Sequence, residues 1–430
     1  MTEQDAADIY LDEELGDGQV ELEHWREAAR RRAEEETRRA ARQRRRLLLV
    51  VGAVVLALLV GLIGWKVISA ARARTPEEVA LGGKRASVLF QLRARDGGAA
   101  ASVVIMHDRA AGTGGMLAVP RDLMLDVPAA GVVPFHEALI LAGESLTRDA
   151  LADLLGAPIA GSFTFDQATF SAVIDRLGGI ELPIDHPIVV KGSTVARPEA
   201  DGQAVRLRGA AALAYATTAV PGETVASAAE RFAAVVQAIL QRIPDQFEAA
   251  ANLLAALGVV GNGTMAPDQL AAILAGAAGD LRGQTMASGT LPVSTGGDGA
   301  GIIDPTAAGP IVHDVLGSTV QTLSSDGTPR VMVQIGIPPE KEAREAIRAV
   351  IINSGYRFIN GGQLPDALSD PRPKTTITAF GKNGEEAGRA LAIALELDPD
   401  IVEMGQGLGV ADVLVVLGED YDFTFGGLGD

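Results

Sequence analysis

The chain has 430 residues, 47% of them hydrophobic and 21% charged, which is enough apolar material for about two or three folded domains. Its net charge of −18 argues against general nucleic-acid binding, which needs a basic footprint to displace counterions. The absence of cysteine removes thiol chemistry, disulfides and Cys-based metal sites without fixing a compartment.

Residues 1–23 are acidic with no basic side chain, a composition expected to stay disordered. Residues 24–46 carry Glu and Arg at helical spacing, so a helix is expected to run toward anionic headgroups. Leu47 to Trp65 reads LLLVVGAVVLALLVGLIGW, without a charge. As a helix it is about 28 Å long, matching the hydrocarbon core of a bilayer, with Trp65 as an interfacial anchor. It is too long for a cleaved signal peptide, and ISAARA (68–73) is the nearest approach to a cleavage site. Arg38, Arg39, Arg42, Arg44, Arg45 and Arg46 crowd its N-terminal side. The positive-inside rule then makes 1–46 a cytoplasmic tail, 47–67 a single transmembrane helix in the cell membrane, and the bulk of the chain extracellular.

A polar stalk (68–84) precedes an alternation of strand-like and helix-like patterns, which predicts an α/β fold. Strands are expected at Ser87–Leu92, Ser102–Met106, Gly114–Pro120, Leu123–Val127, Ser162–Phe165, Ile180–Ile184 and Gly289–Ser294. Helices are expected at Thr147–Leu155 (stopped by Gly156), Phe165–Leu177, Gly209–Tyr215, Ser227–Ile243, Phe247–Leu257, Pro267–Leu281 and Pro305–Leu316. Together they form a first domain over 85–317. A small, polar linker (318–328) leads to a second, smaller α/β domain over 329–422 and a short tail (423–430). That domain has strands at Arg330–Ile335, Gly355–Asn360, Thr375–Phe380 and Val413–Leu417, and helices at Glu340–Ser354 and Gly384–Leu395.

Generic catalytic motifs are missing. His107, His136, His186 and His313 show no HExxH or paired metal spacing. There is no GxSxG nucleophile elbow. Gly112–Gly115 and Gly261–Gly263 read as turns and match no GxxxxGK[ST] phosphate loop.

Three stretches carry a resemblance: MLAVPRDLMLDVP (116–128), LLGAPIAGSFTFDQATFSAVIDRLGGIEL (154–182) and LRGAAALAYATT (207–218). In this order, behind an N-terminal anchor, they resemble the LytR-CpsA-Psr (LCP) family of cell-envelope proteins. NSGYRF (353–358) and GLGVADVLVVLGEDY (407–421) resemble the LytR-type C-terminal domain often attached to LCP proteins in actinobacteria. The resemblance implies an α/β sandwich with a central mixed sheet and an apolar pocket for a polyprenyl chain. It also implies arginines for the diphosphate and magnesium-dependent transfer of a lipid-linked glycopolymer to peptidoglycan. Those residue types suit the chemistry: Arg offers planar bidentate donors, and magnesium is held by one or two carboxylates plus the phosphates.

Carried over position by position, the family's PRD arginine matches Arg121, followed by Asp122; these are the candidate catalytic pair, although they could equally be a strand-end ion pair. Arg231 matches a second phosphate-binding arginine, and Arg95 is a third, looser candidate. Elsewhere the pattern departs. Thr217 and Ala219 stand where two arginines are usual, Ala228 replaces another, and the two early acidic positions fall near Ala94 and Ala101. A methyl group cannot coordinate magnesium, and Thr cannot neutralise a phosphate. The leading expectation is therefore a non-catalytic, pseudoenzyme-like member that binds a polyprenyl-linked glycopolymer, lipid or assembly partner and needs no cofactor. The alternative is an active magnesium-dependent transferase in which Asp96 or Asp108 replaces the missing ligands. A transcriptional regulator, the historical description of some relatives, fits the acidic bulk least.

Overall fold

The computed structural model describes residues 76–128, 130–199, 202–259, 263–295, 301–317, 328–338, 341–406 and 409–421. The expected cytoplasmic tail (1–46), the apolar run at 47–65, most of the expected linker and the C-terminal tail lie outside the described residues. Among those described, no helix is long and apolar enough to cross a membrane.

The chain enters through a short helix, α1 (Pro76–Leu81), whose Leu81 is already buried; this end of the expected stalk is part of the folded body. An antiparallel meander follows: β1 (Arg85–Arg93), β2 (Ala99–Asp108) and β3 (Thr113–Val119). Then come the hairpin β4 (Met124–Val127) and β5 (Gly131–Pro134), and helices α2 (Phe135–Leu141) and α3 (Gly143–Leu155). Gly156 ends α3 in the left-handed region at φ 67°, where only glycine avoids a Cβ clash. β6 (Gly161–Phe165) pairs parallel with β1, and α4 (Gln167–Arg176) is capped by Asp166, which accepts the Thr169 amide at 2.8 Å.

Small strands β7 (Ile180–Leu182), β8 (Ile188–Val190), β9 (Ser193–Ala196) and β10 (Val205–Leu207) form two hairpin-like pairs. Four helices follow: α5 (Gly209–Thr217), α6 (Val225–Leu240), α7 (Phe247–Ala256) and α8 (Pro267–Arg282). β11 (Met286–Thr290) then closes the sheet parallel to β3, ahead of the pair β12 (Val293–Thr295) and β13 (Gly301–Ile303) and helix α9 (Pro305–Leu316). The central sheet is thus mixed, in the order β11-β3-β2-β1-β6.

Both faces of that sheet are buried, which explains why β1 and β2 read as continuous apolar runs. Val88, Phe90 and Leu92 face the helices from α4 to α8, while Leu89 faces the opposite core. On the first face Phe90, Phe163, Phe165, Phe170 and Phe232 pack ring against ring, with centroids 4.7 to 6.4 Å apart, so this part of the space between sheet and helices is filled by side chains.

The second half holds β14 (Arg330–Ile335), α10 (Lys341–Asn353), β15 (Arg357–Gln363), β16 (Thr376–Ala379), α11 (Gly381–Ala394), β17 (Val402–Met404) and β18 (Val413–Leu417). Its sheet is also mixed, ordered β15-β14-β18-β16-β17. Val331, Val333 and Ile335 pack with Ile347, Ile351 and Leu391 of α10 and α11. The other face, carrying Met332, Ile359 and Leu414, packs into one core with Leu125, Phe135, Leu151 and Leu154 of the first half. The described residues accordingly form one compact unit.

Candidate functional site

Motif order alone pointed to a set of positions scattered over more than a hundred residues, and the fold brings most of them together. At the end of the sheet where β2 begins and β3 ends, a cavity of about 90 Å³ is lined by Ala101, Arg121, Thr217, Ala219, Ala228 and Arg231, with Ala100, Val119 and Val225. Arg121 arrives from just beyond β3, Thr217 and Ala219 from the end of α5, and Ala228 and Arg231 from one face of α6. The volume lies well below the roughly 300 Å³ at which small-molecule pockets usually begin.

The two arginines differ sharply in environment. Arg231 is 7% exposed and every one of its nitrogens is engaged. Nε donates to Glu223 Oε1 at 2.5 Å, and Nη2 to Glu223 Oε2 at 2.7 Å and to the Thr218 carbonyl at 2.8 Å; Nη1 donates to the Tyr215 carbonyl. Its guanidinium also lies 5.5 Å from the Tyr215 ring centroid. Glu223 is itself nearly buried, so the pair is closed on itself. Arg121 is 48% exposed and reaches Asp122 only at 3.5 Å, a surface contact of little energetic weight. Asp122 is also 3.7 Å from His136 Nδ1 and does not line the cavity.

Arg95 sits exposed in the β1–β2 turn, beside Ala94, whose amide donates to Gly98 at 2.7 Å, and is not among the residues lining the cavity. Asp96 in the same turn accepts the Gly98 amide at 3.0 Å. Asp108 lies at the opposite end of β2, seven residues from Ala101, or roughly 23 Å along a strand. There it accepts Arg85 Nε and Nη2 at 2.8 and 2.6 Å. Burial pushes its carboxyl up, but the Arg85 bonds and the Ala111 and Ala110 amides outweigh this and hold it below the usual value. It also borders a larger, mainly apolar cavity of about 440 Å³ with Met106, Ile159 and Leu316, remote from Arg121. A magnesium ion beside a bound diphosphate needs at least one carboxylate at the phosphates. The residues lining the Arg121 cavity include none, so this donor set does not fit the ion.

Glu223 is the residue that sequence reasoning missed. It precedes the α6 cap Thr224 in a loop, and a loop acid eight positions before an arginine gives no periodic signal of pairing.

A family model described as the LytR_cpsA_psr family matches residues 73–278, a little under half of the chain. Similar solved structures include TagV from B. subtilis, 19% identical, covering 57% of this chain and 97% of that one with a TM-score of 0.45. TagT from B. subtilis is 20% identical, with coverages of 55% and 93% and a TM-score of 0.43. A protein described as a LytR-Csp2A-Psr enzyme from Actinomyces oris is 22% identical, with coverages of 55% and 91% and a TM-score of 0.43. The curated proteins contain no match.

Proposed function

We propose that this chain is an LCP-family protein of cell-envelope glycopolymer assembly, anchored in the cell membrane by the helix at 47–65 with its bulk outside. In this reading it binds a polyprenyl-linked glycopolymer or an assembly partner, and does not transfer the glycan to peptidoglycan. The family match over 73–278 supports the envelope role. The observation that carries the loss of transfer is the closed Arg231–Glu223 pair, in which all three guanidinium nitrogens already have acceptors. A diphosphate would have to displace a buried carboxylate to use it, and breaking such a pair costs about 3–5 kcal/mol. Arg121 alone then faces the cavity as an available cation, and one cation cannot neutralise the charge that builds on a leaving diphosphate.

The decisive experiment incubates the full chain in detergent micelles with magnesium, a prenyl-diphosphate-linked oligosaccharide and peptidoglycan. No release of the prenyl phosphate product is expected. Turnover that disappears in Arg121→Ala would overturn the reading in favour of an active transferase with Arg121 in its site. Calorimetry with a prenyl diphosphate, with and without magnesium, should show no metal-dependent gain in affinity.

A further inference from the structure

Where the two halves meet, two adjoining cavities of about 310 and 190 Å³ share Asp126, Arg348 and Phe358 as walls. The first continues past Tyr356 and Arg357, the second past Asp153 and Asn360. One wall belongs to β4 and α3 and the other to α10 and β15, so the groove exists only because the C-terminal sheet docks on the first half.

Its chemistry is specific. Each cation is matched by an acid: Arg348 lies 3.8 Å from Asp126, and Arg357 donates to Asp153 at 2.9 Å. The groove is therefore balanced in charge, unsuited to a polyanion and to a cation alike, yet dense in planar hydrogen-bonding groups. Tyr356 and Phe358 add half-buried rings, and the Arg348 guanidinium lies 5.8 Å from the Phe358 ring centroid. Asn360, 7% exposed, also lines the second cavity, where its Oδ1 accepts the Gly362 amide at 2.9 Å.

We infer that this inter-domain groove is a binding site for an uncharged pyranose segment of a glycan chain. Flat apolar faces of a sugar ring stack on Phe358 and Tyr356. Vicinal hydroxyls accept from Arg348 and Arg357 and donate to Asp126 and Asp153, in the bidentate manner these planar groups favour. The site is separate from the Arg121 cavity and independent of whether that cavity catalyses anything.

The test titrates the full chain in detergent micelles with neutral tetrasaccharides of glucose, galactose, mannose and N-acetylglucosamine, beside poly(glycerol phosphate) as an anionic control. Saturation-transfer NMR and calorimetry provide the readouts. At least one neutral tetrasaccharide should bind saturably, and poly(glycerol phosphate) should bind more weakly. Phe358→Ala should weaken that binding by about tenfold and Asp126→Asn by about threefold, while Arg121→Ala leaves it unchanged. Because Phe358 also touches the core, Phe358→Leu, which keeps apolar bulk but loses the ring, is run beside it with unfolding midpoints for every variant. Binding of no neutral tetrasaccharide, preference for the anionic polymer, or undiminished affinity in folded Phe358 and Asp126 variants would each overturn the inference. Failure here leaves the reading of the Arg121 cavity standing, and turnover at Arg121 would leave this groove standing.

Discussion

Arg231→Met tests whether the second arginine of the cavity belongs to the scaffold or to a ligand site. Methionine keeps the apolar stem and removes the guanidinium, leaving the Glu223 carboxylate buried without its cation and the Tyr215 and Thr218 carbonyls without a donor. Removing one partner of a buried ion pair costs about 3–5 kcal/mol. Each orphaned carbonyl adds on the order of 1 kcal/mol, with the sum tempered by relaxation. A loss near 4 kcal/mol is therefore expected, read by urea unfolding followed by far-UV circular dichroism. The double variant Arg231→Met with Glu223→Gln should recover roughly half of it, because the uncompensated charge is then gone. A loss below about 1 kcal/mol, accompanied by weaker prenyl-diphosphate binding, would refute the reasoning and mark Arg231 as a ligand-facing cation.

Three further perturbations probe the scaffold. Arg330, 2% exposed, joins the halves by donating to the carbonyls of Val410, Asp153 and Leu154, and burial pushes it down to about 10, still charged at neutral pH. Arg330→Met should cost about 3 kcal/mol and speed amide exchange both in β14 and in the last turn of α3. Asp166→Ala removes the α4 cap and should cost about 1 kcal/mol at pH 7. The Thr169 amide and hydroxyl hold the Asp166 carboxyl below its usual value. That stabilisation is present above the unfolded pKa and lost as pH falls through the lower folded one, so the gap between variant and parent should narrow below about pH 3.9. Gly115→Ala would place a methyl 1.7 Å from the Val315 carbonyl oxygen. It should cost upwards of about 3 kcal/mol by forcing α9 off β3, with thermal unfolding as the measure.

Much of this was legible in the sequence, for identifiable reasons. Pro305–Leu316 and Val413–Leu417 have the predicted bounds, the first because Asp304 and Pro305 mark its start, the second because a β-branched run between turns has few alternatives. The predicted single strand over Gly289–Ser294 is instead two, β11 and β12, interrupted at Leu291 and Pro292, since proline cannot donate into a ladder. The strands β8 to β10 and the helix α2 are short, and short elements are fixed by what they pack on more than by their own pattern. β14 and β18 are apolar on both faces, while the two helices of that half cover only one of them, so something else had to cover the other.

The convergence at the Arg121 cavity bears on the resemblance itself. Ala101, Arg121, Thr217, Ala219, Ala228 and Arg231, drawn from four separate segments, line one cavity, together with their neighbours Ala100, Ala216, Thr218 and Ala229. Around Arg121 this chain has alanine methyls and threonine hydroxyls, and it closes its buried cation Arg231 onto Glu223. These short, uncharged side chains leave a cavity of about 90 Å³ between α5, α6 and the sheet. The small volume and the sparse charge therefore have one source, the short side chains that line the cavity. Placing arginine at Thr217 or Ala228 singly should add a cation without making room for a diphosphate.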